Sequence, residues 1–413
     1  MDNKVICHRP FSEIYNHVGS YYAPCCWANY NESIVNINPN TTLPIDHFFG
    51  EDFTRLRKEM LIGEKTKFLE SYCGECFARE DLTGSSPRTY YQNDLETKFN
   101  NFNCDGSLKK DITKPFLNLA INFYGNSCNL ECYDCNPVNS TSRQRVAKEL
   151  KPELDEIGII ADGHTLKNVF NVRDVSNTFD VTNKKQSDKI IKNILDHIDI
   201  ISTIQIVGGE PMLMKTHFEM LDKIVEMKKS KNITLSYVSN MTLMTVSKME
   251  KYFNSFRYTF VQWSVDALKE RNHWLRYPTD WDQTVKNVYA MQRYFTKHKN
   301  GRISATITPS LLGITSLKET HSWLYHRSLI DKHPNIHNRI LKPNFLKTRH
   351  LPDELKEKIS PDIKQITEDH YNDMIQPRNE TDFQLAVKYF DLLDKKRGTD
   401  WRSTFPEVAK YAN

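Results

Sequence analysis

Glycine is scarce in this chain, at 14 among 413 residues, about half the usual share. That scarcity excludes a glycine-rich linker, and it makes the adjacent pair at 208 and 209 informative, because glycine is kept where the backbone must approach another group closely. There is no apolar run of 18 residues, and the mean hydropathy is -0.61, so no membrane span is expected. The N-terminal stretch MDNKVICHRPFSEIY has no apolar export core, which makes a cytoplasmic location the expectation. Nor is there a block of one charge. Lys plus Arg number 56 against 52 Asp plus Glu, interspersed, for a net +4, and the footprint of a nucleic-acid binder is missing. No solenoid-type repeat occurs.

What is present supports a sizeable core: hydrophobic residues make up 39% and aromatics 11%. The length exceeds that of a single growing core, so two domains, or one large barrel with an appendage, are expected. Residues 81–107, 172–188 and 351–365 read as connectors. From residue 116 onward β-rich runs alternate with helical periodicity. Strands are expected at 116–124, 202–208, 232–240, 258–266, 302–312 and 338–346, with helices near 142–158, 215–229, 243–254 and 281–297. Six strands, five followed by helical stretches, predict a parallel α/β architecture, and a six-unit partial barrel suits the count better than eight. Phe383, Ala386, Val387, Phe390 and Leu393 recur at helical spacing and predict a C-terminal helix with one buried face.

The nine cysteines fall at 7, 25, 26, 73, 76, 104, 128, 132 and 135. In a chain without an export signal they point to metal or redox chemistry rather than to disulfides. Cys128, Cys132 and Cys135, in NSCNLECYDC, form a CxxxCxxC run on an expected loop. Three thiolates are one short of a closed zinc or iron–sulfur site, so either a coordination position stays open for a ligand or a distant residue supplies the fourth bond to zinc. In a parallel α/β fold, ligands bind at the C-terminal ends of the strands. Those ends carry the cysteine loop, then Gly208, Gly209, Glu210 and Pro211, then Ser239 and Asn240, then Ser264 and Asp266, which share a strand face.

On these residues the chain resembles the radical S-adenosylmethionine (radical SAM) enzymes over about residues 114–346. Their CxxxCφxC signature, φ aromatic, is matched by Cys128, Cys132, Tyr133 and Cys135, their GGEP segment by residues 208–211, and their fourth strand and following loop by SVDALKERNHWLRYP. The resemblance implies a [4Fe-4S] cluster on the three cysteines, with one iron chelating the methionine moiety of SAM. It also implies an approach of Gly208, Gly209 and Glu210 to the SAM ammonium. Ser264 and Asp266 would serve the ribose or methionine end, with Asn240 as a weaker candidate, and Tyr133 would lie beside the adenine. A radical SAM oxidoreductase or maturase acting on a peptide or protein is implied, fed by an external donor such as flavodoxin or ferredoxin. A dehydrogenase or epimerase of a small sugar or alcohol is the alternative enzyme, and a non-catalytic iron–sulfur or zinc protein the alternative class.

The N-terminal cysteines resemble the twitch domain, the half-sized relative of the SPASM domain that carries an auxiliary [4Fe-4S] cluster. The match rests on Cys7 before Pro10 and Phe11, Cys25 after Gly19, and CxxC at Cys73 and Cys76 preceded by Arg57 and Gly63. It implies Cys7, Cys25, Cys73 and Cys76 as ligands, with Cys26 able to replace Cys25; spacing alone leaves zinc open for the same four. Cys104 has no evident partner. The resulting division is a twitch-like domain at 1–80, a linker at 81–113, a TIM-like (β/α)6 partial barrel at 114–347 and a C-terminal helical extension at 348–413.

Overall fold

The computed structural model describes residues 5–16, 22–28, 42–84, 86–90, 99–112, 114–120, 122, 125–159, 184–330, 340 and 343–412. Seven strands make one sheet: β1 (Glu13–Asn16), β2 (Tyr22–Ala23), β3 (Leu117–Ala120), β4 (Ile201–Ile206), β5 (Thr234–Ser239), β6 (Tyr258–Ser264) and β7 (Gly301–Thr306). Their spatial order is β2-β1-β3-β4-β5-β6-β7. Only the β1–β2 pair is antiparallel. Helices follow each strand from β3 to β7, as parallel crossovers require.

Residue chemistry explains the alternation along the strands. In β6, Thr259, Val261 and Trp263 are buried while Gln262 and Ser264 are half-buried. Trp263 packs in a cluster with Trp281 and Trp323, ring centroids 5.6 to 6.3 Å apart, and so ties the strand to the helices Trp281–His298 and Leu317–Tyr325. Gln262 and Ser264, with Gln205 of β4 and Thr306 of β7, line the cavity on the other face.

Several expectations need correction. The six parallel strands are β1 and β3 to β7. Residues 344–346 of the expected last strand form a 3-10 turn, Asn344–Leu346, and 338, 339, 341 and 342 lie outside the described residues. The sixth strand comes from the opposite edge: β1 pairs with β3 in parallel, Glu13 against Asn118 and Tyr15 against Ala120. It joins the N-terminal residues to the sheet of the 114–347 segment, across the expected 81–113 linker. The expected connector at 351–365 is helical, Asp353–Ile366, because Leu355, Ile359 and Ile363 recur every four residues and Asp353 and Glu354 suit the first turn. Helix Lys184–Asp196 likewise begins inside the expected connector at 172–188, whose first part, up to residue 183, lies outside the described residues.

The C-terminal helix Glu380–Arg397 buries Phe383, Ala386, Val387, Phe390 and Leu393, as the spacing predicts. Its Phe390 meets Tyr133 at 5.9 Å and Trp274 at 5.6 Å between ring centroids. No helix among the described residues is long and apolar enough to cross a membrane.

Candidate active site

A cavity of about 990 Å³ opens at the C-terminal ends of the strands. Cys128, Cys132 and Cys135 line it together with Gly208, Gly209, Ser239, Asn240, Ser264 and Arg276. Around the rim stand Arg9, Glu13 and Tyr15 from the β1 region, Cys26 and Trp27, Arg79, and residues 366–370. The structure thus gathers on one cavity the three loop cysteines with Gly208, Gly209, Asn240 and Ser264, and adds part of the N-terminal segment to them.

The cysteine loop is fixed from several sides. Cys128 N–H donates to Thr141 Oγ1 (3.3 Å), and its carbonyl accepts from Ser142 Oγ (2.6 Å), both at the start of the helix Thr141–Glu149. Gly208 has φ +103°, a region that L side chains rarely adopt, and a Cβ there would fall 2.2 Å from Asn122 Oδ1. At Gly209 a Cβ would fall 2.1 Å from the Ser127 carbonyl oxygen. Gly209 therefore lets the chain just after β4 lie directly against the cysteine loop, and Glu210 N–H completes the contact by donating to Ser127 O (2.7 Å).

Glu210 itself is fully buried. Its Oε1 accepts from Ser239 Oγ (2.8 Å) and Met212 N–H (3.4 Å), and its Oε2 from Asn240 N–H (2.9 Å). It caps the 3-10 turn Pro211–Leu213, with Pro211 at the first position, where no N–H is needed. Burial pushes its carboxyl up to about 7, against these hydrogen bonds. In this structure Glu210 acts as a staple between β4 and β5 and does not line the cavity.

Two other predicted residues also point away from it. Tyr133 is buried between Trp274 (5.3 Å) and Phe390. Its N–H donates to Leu275 O (3.0 Å), and its carbonyl accepts from Tyr389 Oη (2.7 Å). The expected place beside an adenine is thus taken by packing in the core. Asp266, 2% exposed, accepts from Thr308 N–H (2.9 Å) and pairs with Arg276 (2.6 Å). The sequence places Arg276 in the loop beyond the fourth strand, within SVDALKERNHWLRYP, as a structural or substrate-facing residue rather than a cofactor ligand. The only signal was its position, one residue before Tyr277 and Pro278, and sequence does not show that this loop runs along residues 131–133.

Electrostatics at the cysteines are governed by burial. It raises the thiol of Cys132 well above its usual range, that of Cys135 to about 12 and that of Cys128 less, with Arg276 opposing the rise in all three. Asp134, on the same wall, is pushed up to about 6 by burial and by Asp266, again against Arg276. Burial works against the charge of Arg276, but Asp266, Cys132 and Asp134 hold it protonated. Buried thiols of this kind bind as thiolates once a metal supplies the compensating charge.

The N-terminal thiols influence one another as well. Cys7, Cys25, Cys26, Cys73 and Cys76 act electrostatically on one another; burial raises the thiol of Cys7 to about 11 and those of Cys25, Cys73 and Cys76 above their usual value, while Cys26 is exposed. Arg57 supports the segment: fully buried, it donates to Gly106 O (2.7 Å), Phe48 O (3.0 Å) and Pro10 O (3.3 Å). Gly63 ends the helix Glu51–Ile62 at φ +87°, and Gly19 lies outside the described residues. Cys104 is exposed.

Among the described residues no group of three or more His, Cys, Asp or Glu side chains is gathered to hold a metal ion. The residues at 128–135 fit a [4Fe-4S] group by donor type, burial and access to the cavity.

Fold and site define a parallel α/β partial-barrel protein with a three-cysteine loop at the C-terminal ends of its strands. Residues 123–315 match the model of the radical SAM superfamily. Comparison with curated proteins gives no match. Among solved structures the chain is similar to native anSMEcpe with bound AdoMet, with TM-score 0.38 and 16% identity over 58% of this chain and 57% of that one. It is also similar to native anSMEcpe with bound AdoMet and Cp18Cys peptide, with TM-score 0.35 and 15% identity over 58% of each chain. The chain thus spans less than two thirds of the length of either.

Proposed function

We propose that this protein is a radical SAM enzyme that reductively cleaves S-adenosylmethionine and abstracts hydrogen from a substrate held in the 990 Å³ cavity. The observation that carries this reading is the placement of Cys128, Cys132 and Cys135 on the same cavity wall as Gly208, Gly209, Asn240 and Ser264. When bound, a [4Fe-4S] cluster would supply the electron that splits SAM into methionine and a 5′-deoxyadenosyl radical. The chain's own part is positional. The three cysteines would hold the cluster, the main chain at Gly208 and Gly209 would approach SAM, and Ser264 and Asn240 would offer hydrogen bonds to its polar ends.

The interior polar residues Gln205, Gln262 and Thr306, with the Arg9–Glu13 pair (2.8 Å) at the rim, favour a polar substrate. A peptide or protein side chain is the first choice, and a small sugar or alcohol the second. Cys7, Cys25, Cys73 and Cys76 are proposed to hold an auxiliary [4Fe-4S] cluster, and a flavodoxin- or ferredoxin-type protein to donate the electron. The test is anaerobic reconstitution followed by iron, zinc and 5′-deoxyadenosine measurement. About eight irons per chain and SAM cleavage are expected. About four irons plus zinc would remove the auxiliary cluster, and SAM cleavage that survives replacement of all three loop cysteines would refute the mechanism.

A further inference from the structure

Residues 131–133 and 275–277 run alongside each other. Glu131 N–H donates to Tyr277 O (2.5 Å) and Tyr133 N–H to Leu275 O (3.0 Å), so Cys132 and Arg276 are bracketed by the same two bonds. The strap is tied down on both sides by Arg397, which donates to Glu131 O and to Trp274 O (3.3 Å). Between the bonds, Arg276 Nη1 lies 3.8 Å from Cys132 Sγ. Its Nε lies 2.6 Å from Asp266 Oδ2. Asp266 is fixed in turn by Thr308 N–H at one oxygen, while its own N–H donates to Asn272 Oδ1 (3.1 Å). The Arg276 side chain is 13% exposed and that of Asp266 2%, so bulk water screens neither charge well.

A buried cation with an N–H directed at a ligand sulfur favours whichever state of a cluster carries more negative charge, which is the reduced one. Hydrogen bonds to cluster sulfurs and nearby charge are established determinants of reduction potential. We propose that Arg276 raises the reduction potential of the centre held by Cys128, Cys132 and Cys135, and that Asp266 is a positioning residue that keeps the guanidinium on Cys132 and moderates its charge. This rests on the radical SAM reading given above. It assigns Asp266 a task different from contact with SAM and makes the 131–133/275–277 strap the element that delivers it.

The experiment uses the full chain, reconstituted anaerobically without SAM or substrate, as wild type, Arg276→Gln, Arg276→Lys and Asp266→Asn. Iron and sulfide are measured, and the midpoint potential of the loop centre is followed by electron paramagnetic resonance during a mediated titration. With iron content unchanged, Arg276→Gln is expected to shift the reduced-to-oxidised ratio at fixed potential about tenfold toward oxidised, about 59 mV for a one-electron couple. Arg276→Lys is expected to fall between it and wild type. Asp266→Asn, which removes a negative charge but keeps an acceptor, is expected to shift the ratio toward reduced. An Arg276→Gln protein with full iron that titrates with the wild type overturns the proposal. If that variant takes up no iron, an unshifted Asp266→Asn midpoint does the same. Loss of iron from both variants overturns it as well, because the pair would then only support the loop. A wild-type chain that takes up no iron–sulfur centre sinks the radical SAM reading instead, a distinct result.

Discussion

Glu210 shows how a single side chain couples the site to pH. Its ordinary value is 4.5 and burial raises it to about 7 in the folded chain. Below pH 4.5 both states carry the proton, and between 4.5 and about 7 only the folded chain does, so stability falls as pH rises through that window. The total loss is about 3 kcal/mol. Thermal melts of the metal-free protein should show this slope, and Glu210→Gln should flatten it while lowering stability by about 1–3 kcal/mol, because an amide N–H₂ must face Ser239 Oγ or Asn240 N–H. An unchanged slope in the variant would show that Glu210 does not carry the proton. Arg57 is the second decisive residue, a buried cation whose three carbonyl acceptors come from three separate stretches of chain. Arg57→Met is expected to cost about 3 kcal/mol or more in denaturant unfolding and to speed alkylation of Cys7, three residues from Pro10. Equal alkylation rates would detach Arg57 from the N-terminal cysteines.

At the scale of elements, the link between β4 and the cysteine loop is a backbone contact with no room for a methyl group. A Cβ at residue 209 would meet Ser127 O at 2.1 Å and Asn126 C at 2.6 Å, both main-chain atoms that cannot swing aside. Gly209→Ala is therefore expected to keep its far-ultraviolet circular dichroism and lose at least half of its loop iron; full iron loading would refute a dependence of the loop on this contact. The glycine pair was legible in the sequence because glycine is rare, and so was its proximity to the cysteines. Its neighbour Glu210 was legible as a functional residue, but its direction was not, since nothing local tells a cap from a ligand. The strand β1 was not legible at all. EIYN is four residues long with one core side chain, Ile14, and its partner lies about a hundred residues away, so no local pattern reports the pairing. The 353–366 helix was hidden because its stretch, with Pro352 and Pro361 among many charges, reads as a connector, although Leu355, Ile359 and Ile363 hold the helical spacing.

On the scale of the whole molecule, the C-terminal helix closes the back of the site. Tyr389 Oη accepts from Arg143 and donates to Tyr133 O, and Arg397 donates to Glu131 O, so the main chain on both sides of Cys132 is held by residues more than 250 positions further on. Tyr389→Phe is expected to lower stability by about 1–3 kcal/mol, read from denaturant midpoints. A chain ending at residue 378 should lose the loop iron and bind a hydrophobic dye through the uncovered Tyr133 and Trp274; a truncated chain with wild-type iron would refute the clamp. The parallel series from β3 to β7 was legible because each strand is followed by a periodic helix. The clamp was legible only as one buried helix face, since sequence periodicity gives the face and not what it covers.

The pairing of β1 with β3 has a consequence for the order of assembly. During synthesis Cys7, Cys25, Cys73 and Cys76 emerge before the strand that holds their segment in the sheet, and a loop of about a hundred residues must close before that strand gains its partner. The first cysteine set is thus made well before the strand that fixes its segment, and non-local pairing of this kind is intrinsically slow. Nascent chains would therefore carry unplaced thiols for longer than the compact fold suggests, and oxidant-free conditions would matter most during folding rather than during turnover.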